Sequence, residues 1–196
     1  MRIISIYEVK LTLKLNKICI IQLKVNTFVL ELFDDQGELC SFYTVRWEDS
    51  ERSETDKFFM KYENDINLQR PLQELAQFIA KKVGTEKGAL MDFFRFENEA
   101  HALPPSGTFK VGDLSINYGN FPLRLYCLRI SESLVILFNG GEKTSKTAQE
   151  GKTSMVFQEA NIFAKRILHA MIQKDIYITT DQRSFRLYDG SEEIII

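Results

Sequence analysis

Two strongly apolar β runs joined by three small polar residues constrain this chain more than any other feature. Leu123–Ile130 and Leu134–Phe138 flank Ser131-Glu132-Ser133, a connection so short that the two runs must return on each other as an antiparallel hairpin. Strand alternation puts Arg124 and Tyr126 on one face of that hairpin and Leu123, Leu125 and Cys127 on the other. Asn139-Gly140-Gly141 is expected to break the second strand, and Lys143-Thr144-Ser145-Lys146-Thr147 follows. An amphipathic helix is predicted over Ser154–Gln173, with Val156, Ala160, Phe163, Ile167 and Met171 at helical spacing. The tail returns to short strands at Ile176–Thr179, Phe185–Tyr188 and Ile194–Ile196, the last paired within the chain or across a dimer.

The first 47 residues read as an antiparallel meander. Apolar and polar residues alternate over Val9–Asn16 and again over Ile21–Val25. Phe28–Phe33 then meets Asp34-Asp35-Gln36-Gly37, whose residues favour a turn into Leu39–Trp47. Helical spacing takes over after Ser53, with Glu54 and Asp56 in the first turn, where the helix dipole favours acids. A second helix is predicted from Pro71 to Val83, on the stripe Leu72, Leu75, Ala76, Ile79 and Val83, with Gly84 as its stop. Gly88–Asn120 reads as a short strand and a long loop. The expected fold class is α+β: an N-terminal antiparallel β meander, two helices, then a small antiparallel sheet with a long packed helix. A boundary near 69 divides it into a β-rich extension, 1–69, and an α+β domain, 70–196.

Fifteen Phe and seven Tyr in 196 residues are enough for a large core without disulfides or a structural metal. Cys19, Cys40 and Cys127 are odd in number and set among apolar neighbours, so they read as buried thiols of a reducing compartment. Charged residues interrupt every apolar run of the first 25 positions, so neither a signal peptide nor a membrane span is expected. A cytoplasmic location is the reading that follows. The net charge of −2 hides an asymmetry: residues 27–75 carry five basic and twelve acidic side chains, and residues 122–174 carry eight basic and four acidic. Nucleic-acid binders are normally basic overall, and here one segment qualifies.

Phosphate loops, dinucleotide-binding glycines, Cys-x-x-Cys pairs and Gly-x-Ser-x-Gly are absent from the sequence, so no cofactor and no metal site is expected. His169 reads as a core or edge residue of its helix and His101 as an exposed loop residue. The acidic pairs Glu97/Glu99 and Glu192/Glu193 read as solvated turn residues. The best chemical constellation is cationic: Arg124, Tyr126 and Arg129 on one strand, Lys143 and Lys146 just past the next. Arg offers a bidentate fork to phosphate and Lys a mobile point charge. Such a set fits metal-independent RNA cleavage, in which the 2′-hydroxyl attacks the adjacent phosphate and cations stabilise the transition state. The same residues also fit the solvated face of a half-exposed sheet.

Arg124-Leu125-Tyr126-Cys127, Leu134–Phe138 and Lys143-Thr144-x-Lys146-Thr147 before a basic helix resemble the RelE/HigB family of toxin–antitoxin ribonucleases. The pattern is most similar to the phage-derived HigB-like branch, and the likeness covers about residues 70–174. It implies a small antiparallel sheet with helices packed on one side, cleavage of mRNA, usually on the ribosome, and neutralisation by a small antitoxin. It also implies Arg124, Tyr126, Lys143 and Lys146 as catalytic residues, with Arg129, Lys152 and Arg95 binding RNA. A non-enzymatic binding or interaction protein on the same scaffold is the alternative, and a second copy of the chain, as a homodimer, is among the expected partners.

Overall fold

The computed structural model describes residues 27–143 and 154–196. The alternating runs at Val9–Asn16 and Ile21–Val25 lie outside the described residues, as do Lys146 and Lys152. Strands β1 (Phe28–Asp34) and β2 (Ser41–Trp47) form the expected antiparallel hairpin. Helix α1 (Glu54–Tyr62) starts where the sequence places it: Ser53 Oγ accepts the Asp56 amide at 3.0 Å, satisfying one of the unpaired donors of the first turn. Helix α2 (Gln69–Gln77) runs on into a π-helical segment, Phe78–Lys87.

The region read as one strand and a loop holds four strands: β3 (Arg95–Glu97), β4 (Ala100–Leu103), β5 (Thr108–Val111) and β6 (Leu114–Asn117). They are three or four residues long, too short for alternation to register. The strong hairpin follows as β7 (Leu123–Ser131) and β8 (Leu134–Glu142), then helix α3 (Ser154–Gln173). The chain finishes with β9 (Ile176–Ile178), β10 (Phe185–Leu187) and β11 (Ile194–Ile195).

Seven strands make one sheet in the order β11-β1-β2-β8-β7-β4-β3, and the pairs β5–β6 and β9–β10 stand beside it. Strands from both sides of residue 69 share this sheet. All its neighbours are antiparallel except one: β2 lies parallel to β8, with Ser41 opposite Leu134 and Thr44 opposite Leu137. The fold is α+β, as expected, and the parallel pair at its centre is an addition that no local pattern announces. Ile194 and Ile195 pair with Leu30 and Val29, so the apolar tail is an edge strand of its own chain's sheet.

Both faces of the sheet are covered. On one, Phe42, Leu125, Cys127, Val135 and Leu137 pack against Phe58 of α1 and Leu75 and Phe78 of the α2 segment. On the other, Tyr43, Val45, Tyr126, Ile136 and Phe138 pack against Phe163 and Ile167 of α3. The period-2 alternation thus divides residues between two cores rather than between a core and water. Cys40 and Cys127 are both buried free thiols, and burial pushes Cys40 up to about 12 and raises Cys127 further from its ordinary value.

Two glycines read as element ends have other roles. Gly84 does not stop the helix, which continues to Lys87; Gly88, at φ 73°, ends it. The Gly84 carbonyl instead accepts the amides of Leu39 and Cys40, at 2.9 and 3.1 Å, and Gly37 packs directly on it. Gly140 does not break β8, which continues to Glu142. A Cβ there would sit 2.8 Å from two carbons of the Phe58 ring and collide with the Arg124 carbonyl oxygen. Gly140 is therefore what lets α1 lie close on the sheet. Gly140→Ala is expected to cost about 3 kcal/mol through overpacking, read as a lower urea midpoint at unchanged slope. Gly84→Ala, whose Cβ would meet nothing closer than 3.4 Å, is expected to cost under about 1 kcal/mol.

Candidate functional site

Of the sequence-predicted cationic residues, Arg95 and Arg124 lie close enough for their charges to interact, and Arg95, Arg124 and Arg129 are turned toward internal acceptors. Arg124 and Tyr126 share a sheet face, as alternation requires, and that face is the one α3 covers. Arg124 is 9% exposed and Tyr126 0%. The Arg124 Nη1 lies 3.0 Å from the Glu97 carboxylate of β3, so Glu97 is a buried-side partner and not a solvated turn residue. The Tyr126 ring lies 5.8 Å from that of Phe157, in the first turns of α3. Arg95 donates from Nε to the Pro104 carbonyl at 3.0 Å and from Nη2 to that of Pro105 at 3.2 Å. Burial, with the Arg124 charge beside it, holds the Arg95 guanidinium below its ordinary pKa. Arg129 donates to the Ala89 carbonyl. All three arginines are thus engaged with internal acceptors. Lys143 is half-buried, and its ammonium forms no ion pair among the described residues.

His101 is half-buried rather than exposed, its ring 5.2 Å from Phe96 and 6.0 Å from Phe94. Burial, and the Arg129 charge beside it, lower its pKa. Its Nδ1 accepts from the Arg129 amide at 3.4 Å.

A second polar set gathers where the two parallel strands end. After β2 the chain turns to α1 on one face, and after β8 it leads to α3 on the other. In open sheets such a divergence at the carboxyl ends of parallel neighbours opens a crevice. Here the protein's own side chains fill it. Glu54 is 3% exposed; its carboxylate accepts from Lys57 Nζ at 2.6 Å and from Asn139 Nδ2 at 2.8 Å. Trp47 Nε1 donates to Glu159 of α3 at 3.1 Å. Thr55 donates to the Phe138 carbonyl at 3.2 Å and lies 2.7 Å, oxygen to oxygen, from Thr44. Partial burial and the nearby Glu54 charge raise the Glu159 pKa. These groups bond mainly to one another, which makes the set a joint between the two faces.

An open groove of about 530 Å³ lies elsewhere, between α3, the β9–β10 hairpin and β11. Lys165, Arg166 and His169 line it from α3, His169 being the i+4 neighbour of Lys165 and the i+3 neighbour of Arg166 on the helix surface. Ile176, Leu187 and Ile195 supply an apolar floor. Arg166 lies over the Phe28 ring at 4.8 Å, and burial lowers its pKa. Sequence reasoning weighed His169 as a core or edge residue; the structure sets it at the groove rim, exposed. It did not single out Lys165 or Arg166, although their shared side of α3 with His169 was readable from helical spacing.

No group of three or more metal-capable side chains occurs among the described residues, and none of their helices is long and apolar enough to cross a membrane. No protein family, no curated protein and no solved structure matches the chain.

The raised Glu159 pKa has a consequence for stability. A carboxyl whose folded pKa lies above its unfolded value contributes stability that is full at low pH and is lost as pH rises through the folded value. Glu159→Gln keeps an acceptor for Trp47 and has no charge to bury. Its stability advantage over the parent is therefore expected to widen as pH rises through and above the ordinary value of 4.5, measured as urea midpoints at about pH 4 and about pH 7.

Proposed function

We propose that this chain is a non-enzymatic binding protein, with its two-faced sheet as scaffold and the groove along α3 as its binding surface. The observation that carries this reading is the ion pair of Arg124 with Glu97 at 3.0 Å, on a sheet face covered by a helix. A guanidinium held by a carboxylate and shielded from solvent is not available as a bidentate fork for phosphate. Tyr126, fully buried, is not placed to stack on a base.

The RelE/HigB-like reading is the second one. In its favour, the span that carries the likeness contributes four successive antiparallel neighbours, β3-β4-β7-β8, as that family implies. Helix α3, however, packs on the face opposite α1 and α2, whereas the resemblance implies helices on one side.

Arg124→Ala separates the two. A structural Arg124 leaves Glu97 charged and partly buried when it is removed, which costs about 3 kcal/mol and lowers Tm by roughly 10 °C. A phosphate-binding Arg124 leaves Tm nearly unchanged and abolishes RNA cleavage. The binding-protein reading expects the thermal loss, no cleavage of RNA by the purified parent protein, and no growth arrest on induced expression. RNA cleavage by the parent that Arg124→Ala removes at full stability sinks it. Growth arrest relieved by a small neighbouring gene product sinks it as well.

A further inference from the structure

We infer that the groove along α3 takes an amphipathic carboxylate, an aliphatic chain ending in a single anionic head. This rests on the binding-protein reading and names the ligand class for its groove. The volume of about 530 Å³ is within the range of small-molecule sites, which are concave, mostly apolar and carry a few polar groups that fix orientation. Ile176, Leu187 and Ile195 line the floor, and Ile195 is left 46% exposed on the edge strand. Covering that surface with a hydrocarbon chain is favourable at roughly 25 cal/mol per Å² of apolar area removed from water.

The polar groups of the groove are unevenly placed, and this sets the direction of the ligand. Lys165 and His169 stand on successive turns of one helix side, both exposed, and neither forms a hydrogen bond or ion pair among the described residues. Arg166 beside them is already held over the Phe28 ring at 4.8 Å, so Lys165 and His169 are the groups that meet the ligand head. The groove's acidic side chain, Asp175, follows the helix, its amide bonded to the Ala170 carbonyl at 2.9 Å. Lys165 is about 7.5 Å back along the helix axis from Ala170, at 1.5 Å per residue. An anionic head therefore sits at the Lys165 end, away from Asp175, and the chain runs over the isoleucine and leucine floor toward β9. Cationic amphiphiles meet the basic wall with the wrong sign.

Isothermal titration calorimetry with the full chain tests this, using dodecanoate, dodecanol and dodecyltrimethylammonium below their micelle concentrations. Dodecanoate is expected to bind once per chain, at least tenfold more tightly than either of the others. The double substitution Lys165→Glu with His169→Glu is expected to weaken it at least tenfold. Both side chains are exposed, so the fold survives, as circular dichroism checks. Lys110→Glu, a charge reversal on β5 outside the groove, is expected to leave binding unchanged. Equal affinity for dodecanol, no saturable binding of dodecanoate, or indifference to the double substitution overturns the inference. Those outcomes leave the binding-protein reading standing, because that reading fails separately, on RNA cleavage or growth arrest.

Discussion

The parallel contact between β2 and β8 is the constraint on which the rest of this structure depends. Antiparallel neighbours can be joined by a tight turn, but parallel neighbours need a crossover that carries the chain back to the starting end of the sheet. Between Trp47 and Leu134 that crossover includes two helices and five strands. It covers one face of the sheet and extends the sheet beyond β8 with β7, β4 and β3. Helix α3 then covers the opposite face. With both faces dry, the outward positions of an alternating strand become a second core, and a residue such as Tyr126, which alternation alone assigns to the side away from Leu125, ends up fully buried.

Burial on both faces explains why the charged residues of this region are structural. A guanidinium brought under a helix needs an acceptor, because an isolated buried charge costs several kcal/mol. Arg124 finds Glu97, Arg95 finds two proline-residue carbonyls, and Arg129 finds Ala89. Glu54 and Glu159 meet the same demand at the crevice end through Lys57, Asn139 and Trp47. Lys165 and His169 stand exposed on the outer side of α3 and escape it.

Local signals in the sequence were faithful where the element is local. The β1–β2 hairpin, the Ser53 cap, the Ser131-Glu132-Ser133 turn and the bounds of α3 follow from turn chemistry, capping and a long apolar stripe. What was not legible depends on partners far along the chain. Gly84 and Gly140 read as breakers, yet the Gly84 carbonyl takes the Leu39 and Cys40 amides and Gly140 makes room for Phe58, contacts made between distant segments. The residues of the cationic cluster were identifiable, but their burial was not, since nothing in Arg124-Leu125-Tyr126 shows that a helix some thirty residues later will cover it. The groove is a non-local object too: the pairing of β11 with β1 brings Ile195 beside Lys165 and His169.

The same parallel pair sets a schedule for synthesis. Thr44 of β2 is paired with Leu137 of β8, so the inner edge of β2 leaves the ribosome about 90 residues ahead of its partner. At about 5–20 residues per second that edge waits roughly 5 to 20 s. During that interval the β1–β2 hairpin presents Tyr43 and Val45 without α3 and β8 to cover them. The nascent chain is therefore most exposed to mispairing before its centre has been made, and the central strand of the finished sheet is the one that closes it.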